Sequence, residues 1–206
     1  MPASTRFARA TLTLLGLLCF ALWLPIATIT YTPGWHQVSC DWHNRCNNYG
    51  AERAAQRIDE LRAFMQHRNA LPELYWSAKE IAHLTEVRTL LDRSASLALL
   101  GALIFFHAGA PQRAQAARIA MLSVAACIIV LPFFGTFWRE IFHPLLFDNR
   151  LWQNKPADTS YWVMPRVYFQ YTTALVIGVA TLICALLRYQ ALKPDHESDQ
   201  RSSRQS

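Results

Sequence analysis

Charge is scarce in this chain. Only 17% of its 206 residues are charged, against 52% that are hydrophobic. The shortage argues against a soluble domain, because four apolar runs leave too little polar sequence to cover them. A signal-peptide cleavage site is also lacking. Arg6 and Arg9 precede the first run, which continues past Trp23 and Pro25 to about Ile29 with no small-x-small site behind it. That length exceeds an h-region, so a retained first helix is expected. The net charge of +6 is not gathered into a nucleic-acid patch. Much of it falls in short segments between and beside the runs, where anionic lipid is the natural counter-charge.

What is present is apolar sequence in lengths that suit a bilayer. The runs Leu12–Ile29, Ser94–Ala110, Ile119–Phe137 and Val167–Leu187 are each near the roughly 17–25 residues needed to span one. The expected fold class is therefore all-α, a polytopic membrane protein with four transmembrane helices and a helical extracytoplasmic cap. The expected partition is an N-terminus at 1–11, spans at 12–30, 94–110, 119–137 and 167–187, a cap at 31–93, a cytoplasmic loop at 111–118, an outer loop at 138–166 and a disordered tail at 188–206. The short inner pieces carry Arg6, Arg9, Arg113, Arg118, Arg188, Lys193, Arg201 and Arg204. Long loops cross largely regardless of charge, so this bias predicts both termini in the cytoplasm.

The outer segments hold the chemistry. Phe137–Pro165 is crowded with Trp, Phe, Tyr and Pro, as expected of a loop pressed against a membrane surface. In the first outer segment, Cys40 and Cys46 stand six apart and can close a small disulfide ring in an oxidising compartment. The rival is a zinc site using Cys40, His43 and Cys46; the outer location favours the disulfide. Residues 51–68 read as an amphipathic helix with Ala54, Ala55, Ile58, Leu61 and Met65 on one face. A second helix is expected from Ser77-Ala-Lys-Glu80, which has the form of a capping box.

That helix contains Glu80-Ile-Ala-His83-Leu-Thr-Glu86-Val87. Lys79, His83 and Glu86 share a stripe, with Glu80 slightly to the side. A His bracketed by carboxylates can be held in one tautomer, although a solvated salt-bridge face has the same spacing. His143 follows the third run directly and belongs near the same outer interface, where it can equally well snorkel. Two such histidines from distant segments make a candidate acid–base pair. A non-catalytic assembly protein and a bis-histidine metal or haem protein are the alternatives.

These motifs resemble a family. The pattern E-x-x-H-x-x-(acid)-V, then Phe142-His143-Pro-Leu-Leu-Phe147, Arg150-Leu-Trp152 and Pro156-Ala-Asp158, is similar to that of the bacterial lipoprotein intramolecular transacylase (Lit) family. Glu86 stands where the family pattern has Asp. The resemblance implies an inner-membrane enzyme that moves an acyl chain from the diacylglyceryl group of a lipoprotein to the α-amine of its N-terminal cysteine. It implies His83 and His143 as catalytic residues, with Glu80, Glu86, Asp148, Arg150, Trp152 and Asp158 supporting the site or binding substrate. Membrane lipid and a diacylated lipoprotein are then the partners, and neither a metal nor an organic cofactor is called for. No Ser–His–Asp or Cys–His arrangement is evident, which argues against an acyl-enzyme intermediate.

Overall fold

The computed structural model describes residues 3–193. Among the described residues ten α-helices follow in order: α1 (Ala3–Tyr31), α2 (Gly34–His43), α3 (Arg45–Tyr49), α4 (Ala51–Met65), α5 (Ala78–His107), α6 (Ala110–Ala126), α7 (Phe134–Thr136), α8 (His143–Leu146), α9 (Thr159–Val163) and α10 (Arg166–Leu192). A 3₁₀ stretch (Cys127–Phe133) and a π-helical turn (Phe137–Phe142) join α6 through α8 into one long rod. Four of these described segments are long and apolar enough to cross a membrane: α1, α5, the rod Ala110–Leu146, and α10.

Several expected boundaries move. Residues 111–118, expected as a loop, are helical, so only Ala108 and Gly109 separate α5 from α6. Pro111 is tolerated there because it occupies the first turn, where an N–H would have no intrahelical acceptor. The outer loop starts later than 138, since the rod continues to Leu146. At the other end, residues 188–192 extend α10 instead of starting a disordered tail, and 194–206 lie outside the described residues. The second run is the lower part of a longer helix. α5 begins in the cap with the anticipated capping box: Ser77 Oγ accepts from Glu80 N at 3.3 Å, and Glu80 Oε2 accepts from Ser77 N at 3.0 Å.

The bundle is held by close backbone approach. α1 lies along α5 and also touches α6 and α10, while α6 packs along α10. Gly16 and Gly101 meet at the α1–α5 crossing, where a Cβ on Gly101 would stand 2.4 Å from the Gly16 carbonyl oxygen. Small residues at such a crossing let helices gain van der Waals contact that lipid cannot offer. Ala117, Ala120, Ala180 and Cys184 fill the neighbouring core. Large apolar side chains such as Leu97, Leu103, Ile129 and Phe133 remain exposed, as hydrocarbon-facing positions require.

Proline sets the irregularity of the rod. Pro132 lacks an N–H and its ring crowds the carbonyl one turn back, so the helix tightens locally into 3₁₀ form. The Leu131 carbonyl is taken up by Gln170 Nε2 of α10 at 3.1 Å. Pro144 follows the π turn, and that second irregularity sits beside the candidate site.

The cap has its own core. Ile58, Leu61, Phe64, Trp76, Leu84, Val163 and Tyr168 form one buried cluster. Gly50 separates α3 from α4 with φ of 101°, a conformation that favours glycine. Cys40 and Cys46 are bridged, with Cα atoms 5.4 Å apart. Together with His43 they form the cluster that would suit a metal, its ligand atoms lying within 4.8 Å of one another. In the bridged state the two sulfurs are bonded to each other. The ring also presents Arg45, whose Nη1 donates to the Tyr161 carbonyl at 3.0 Å. His36, unremarkable in sequence, is buried beside Tyr168, whose hydroxyl lies 3.0 Å from Nε2. Burial, helped by the charge of Arg62, pushes this imidazole down to about 4.

Candidate active site

His83 is one turn into α5 beyond its cap, and His143 stands where the π turn passes into α8. Their ring centroids are 6.1 Å apart, although 60 residues of chain separate them. Phe147 touches both, edge-on to His83 at 4.8 Å and tilted against His143 at 5.8 Å.

The π turn orients His143. Its wider winding lets the Trp138 carbonyl accept both the backbone N–H of His143 and, at 2.7 Å, a hydrogen bond from Nδ1. That bond keeps the proton on Nδ1 and leaves the Nε2 lone pair free. The ring is sandwiched: Trp152 stacks on it at 4.2 Å, and Trp138 meets it edge-on at 4.5 Å. Only 4% of His143 is exposed.

His83 is held differently. Glu86 Oε2 lies 3.5 Å from its Nδ1, a contact that their i, i+3 spacing on α5 sets. The other oxygen of Glu86 accepts from Asn149 Nδ2 at 2.8 Å. Asn149 thereby joins α5 to the segment that carries Trp152, whose indole N–H donates to the Asn149 carbonyl at 3.1 Å.

Glu80 lies elsewhere than its spacing suggests. Instead of bracketing His83, it is buried and clamps two segments together. Oε2 accepts from Ser77 N and Oγ at 3.0 and 2.9 Å, and Oε1 accepts from Ser160 N and Oγ, both at 2.7 Å. Four donors converge on this one buried carboxylate and tie the start of α5 to α9. Beside this clamp, Lys79 Nζ donates to Asp158 Oδ2 at 2.6 Å and to the Gln153 carbonyl at 2.8 Å. Burial pushes the Asp158 carboxyl up, but Lys79 and the Lys155 N–H outweigh it and hold the group below the usual carboxylate range. Together these bonds press residues 147–165 onto the top of α5.

The structure thus brings His83, His143, Glu86 and Trp152 together and sets Glu80 and Asp158 in the support behind them. Asp148 lies on the wall of a neighbouring groove. Arg150 is exposed, and among the described residues no hydrogen bond or ring contact joins its guanidinium to either imidazole. Sequence reasoning missed Trp138, Asn149 and Ser160. For Trp138 a clue existed in Pro144, which disturbs the helix just past His143. Nothing in the sequence marks Ser160.

An imidazole pair, one ring buried and the other half-buried, lies with a carboxylate and two indoles at one end of four membrane-length helices, as suits a membrane-integral protein with a polar cluster at one interface. Residues 11–169 match the model of the family described as lipoprotein intramolecular transacylase Lit, and the chain belongs to that family. It is therefore a bacterial membrane acyltransferase that acts on lipoproteins. The fold agrees with the in meso structure of the membrane-integral lipoprotein intramolecular transacylase Lit from Bacillus cereus, with a TM-score of 0.75, 15% identity and full coverage of both chains. No curated protein sequence matches significantly. Family membership favours acyl transfer over an assembly role or a haem site.

Proposed function

We propose that His143 is the general base and His83 its electrophilic partner in an intramolecular O-to-N acyl transfer. The substrate is a lipoprotein whose N-terminal cysteine carries a diacylglyceryl group. The observation that carries this reading is the 6.1 Å separation of two differently held imidazoles.

The chemistry follows from elementary acid–base rules. An α-amine has a pKa of about 8 and must be neutral to attack. His143 Nε2, left free by the Nδ1 bond to Trp138, takes a proton from the attacking nitrogen as that nitrogen bonds to the ester carbonyl carbon. The oxyanion so formed accepts a hydrogen bond from a ring N–H of His83, which Glu86 holds in place from 3.5 Å away. The bond from carbonyl carbon to glycerol oxygen then breaks, and the proton on His143 passes to that oxygen. An amide and a free glycerol hydroxyl result, with no water consumed. Donor and acceptor belong to one molecule, so holding them in a reactive pose supplies much of the rate.

Charge bias supports both termini in the cytoplasm, and the bridged Cys40–Cys46 pair supports an oxidising location for the cap. The reaction centre then faces the outer leaflet, where lipoprotein headgroups lie. Mass spectrometry of a diacylated lipoprotein N-terminus before and after exposure to the enzyme tests the reading. Conversion from diacylglyceryl to N-acyl lyso form is expected. Folded, membrane-inserted protein that leaves the substrate unchanged would count against it.

A further inference from the structure

A groove of about 330 Å³ lies beside the imidazole pair, between one face of α5 and the segment that follows α8. Glu86, Leu90 and Arg93 form one wall; Leu146, Phe147 and Asp148 form much of the other. Two of these residues also belong to the reaction centre. Glu86 lies against His83, and Phe147 touches both imidazoles. The groove therefore adjoins the imidazole pair through these two side chains, while neither ring is among its lining residues.

Its walls carry carboxylates at the histidine end, with Arg93 two turns further along α5. Glu86, Leu90, Arg93 and Leu97 follow i, i+4, i+7 and i+11 spacing, which makes one stripe along α5. The stripe begins with a carboxylate at the level of the histidines and ends with an exposed leucine in the lipid-facing part of the helix. Asp148 adds a second carboxylate on the opposite wall. Below it the groove stays open, because α5 lies along α1 and makes no extended packing with the rod Ala110–Leu146. The substrate likewise has an ammonium at one end and acyl chains at the other. The volume is at the low end for a small-molecule site, which suits a cysteinyl-glycerol head with its chains left in lipid.

Resting on the transacylase reading, we propose that this groove selects substrates by their free N-terminus. Glu86 and Asp148 receive the α-ammonium, Leu90 and Leu146 flank the first carbons of the acyl chain, and the nitrogen gives one proton to water before it attacks, neutral, beside His143. The groove thus acts as an amine-specificity site, discriminating against lipoproteins whose cysteine is already N-acylated.

Binding of an inert ligand tests this without turnover. The probes are two synthetic lipopeptides with ether-linked dialkylglyceryl chains, one with a free N-terminal amine and one N-acetylated, titrated against the full-length protein in lipid nanodiscs. The wild type should bind the free amine at least about tenfold more tightly, as expected for charge-assisted hydrogen bonds in a partly desolvated groove. Glu86→Gln and Asp148→Asn should each shrink that ratio towards one while leaving affinity for the acetylated probe within about twofold. The amide of the first variant keeps an acceptor for Asn149. Asp148 touches neither imidazole, so the second variant decides if the first misfolds. Equal wild-type binding of the two probes, or an undiminished ratio in folded variants, overturns the proposal. Conversion of an ester-linked lipopeptide by the wild type is measured in parallel. If conversion occurs without amine discrimination, only the groove assignment fails; if conversion itself is absent, the transacylase reading fails.

Discussion

The membrane bundle and the outer cap are built on different principles. In the bundle, backbones approach closely at Gly16 and Gly101, and alanines fill the centre. In the cap, position is set by directed bonds: the Glu80 clamp, the Lys79–Asp158 pair and the Cys40–Cys46 bridge. Lipid offers helices no hydrophobic reason to associate, so the bundle relies on packing. Water competes for every polar group in the cap, so that region needs multiple, partly buried partners to fix a geometry. The site lies at their junction, with each histidine on a helix of the bundle and the lid over them supplied by the cap-side loop.

The largest effect that separates the regions should come from the rings themselves. His143→Ala is expected to lower acyl transfer by about 10²–10⁴-fold while leaving helix content and thermal unfolding in detergent near wild type. Mass spectrometry of the lipoprotein product and circular dichroism read the two properties. Full conversion by this variant would remove His143 from the mechanism.

A substitution in the support should affect both properties. Glu80→Ala leaves the buried Ser160 N–H and hydroxyl unpaired, at a cost of about 3 kcal/mol. Thermal unfolding should show the cap melting earlier than the bundle, and activity should fall because the Trp152 loop loosens. An unchanged melting profile would mean that the clamp is redundant.

Packing of the bundle is tested by Gly101→Ala. The added Cβ has no room against the Gly16 backbone, so a loss of about 2 kcal/mol is expected from overpacking. Surviving folded protein should keep its specific activity, since the histidines lie well above this crossing. A steric-trap or unfolding assay in bilayers would measure the loss.

The smallest effect concerns acid. The Asp158 carboxyl is held below its ordinary range, so its stabilisation is complete above the ordinary carboxylate pKa. It is lost as pH falls through the lowered value, because the unfolded chain binds the proton more readily. Asp158→Asn should therefore lower cap stability slightly at neutral pH and flatten its acid limb, as read by thermal unfolding across a pH series. An acid limb identical to that of the wild type would locate that sensitivity in other groups.

Much of the architecture was legible from local pattern. The four apolar runs and the capping box at Ser77 act within a few turns of chain, and the helices appear where those patterns lie. Local pattern failed at continuity. Residues 111–118 fall between two apolar runs and read as a loop, yet they belong to α6. Helical spacing also assigned Glu80 to His83, since angular position along one helix cannot reveal a partner from Ser160, eighty residues away.

Hydropathy and residue spacing by themselves determined that this chain crosses a bilayer with four helices and carries two histidines near one interface. Those properties depend on transfer from water and on the pitch of a helix, both local. Only the tertiary structure decided that the two rings meet, that the Trp138 carbonyl holds one Nδ1–H, and that Glu80 supports the lid instead of the ring. Such contacts join segments far apart in sequence, and their geometry depends on how helices cross and where a proline widens a turn.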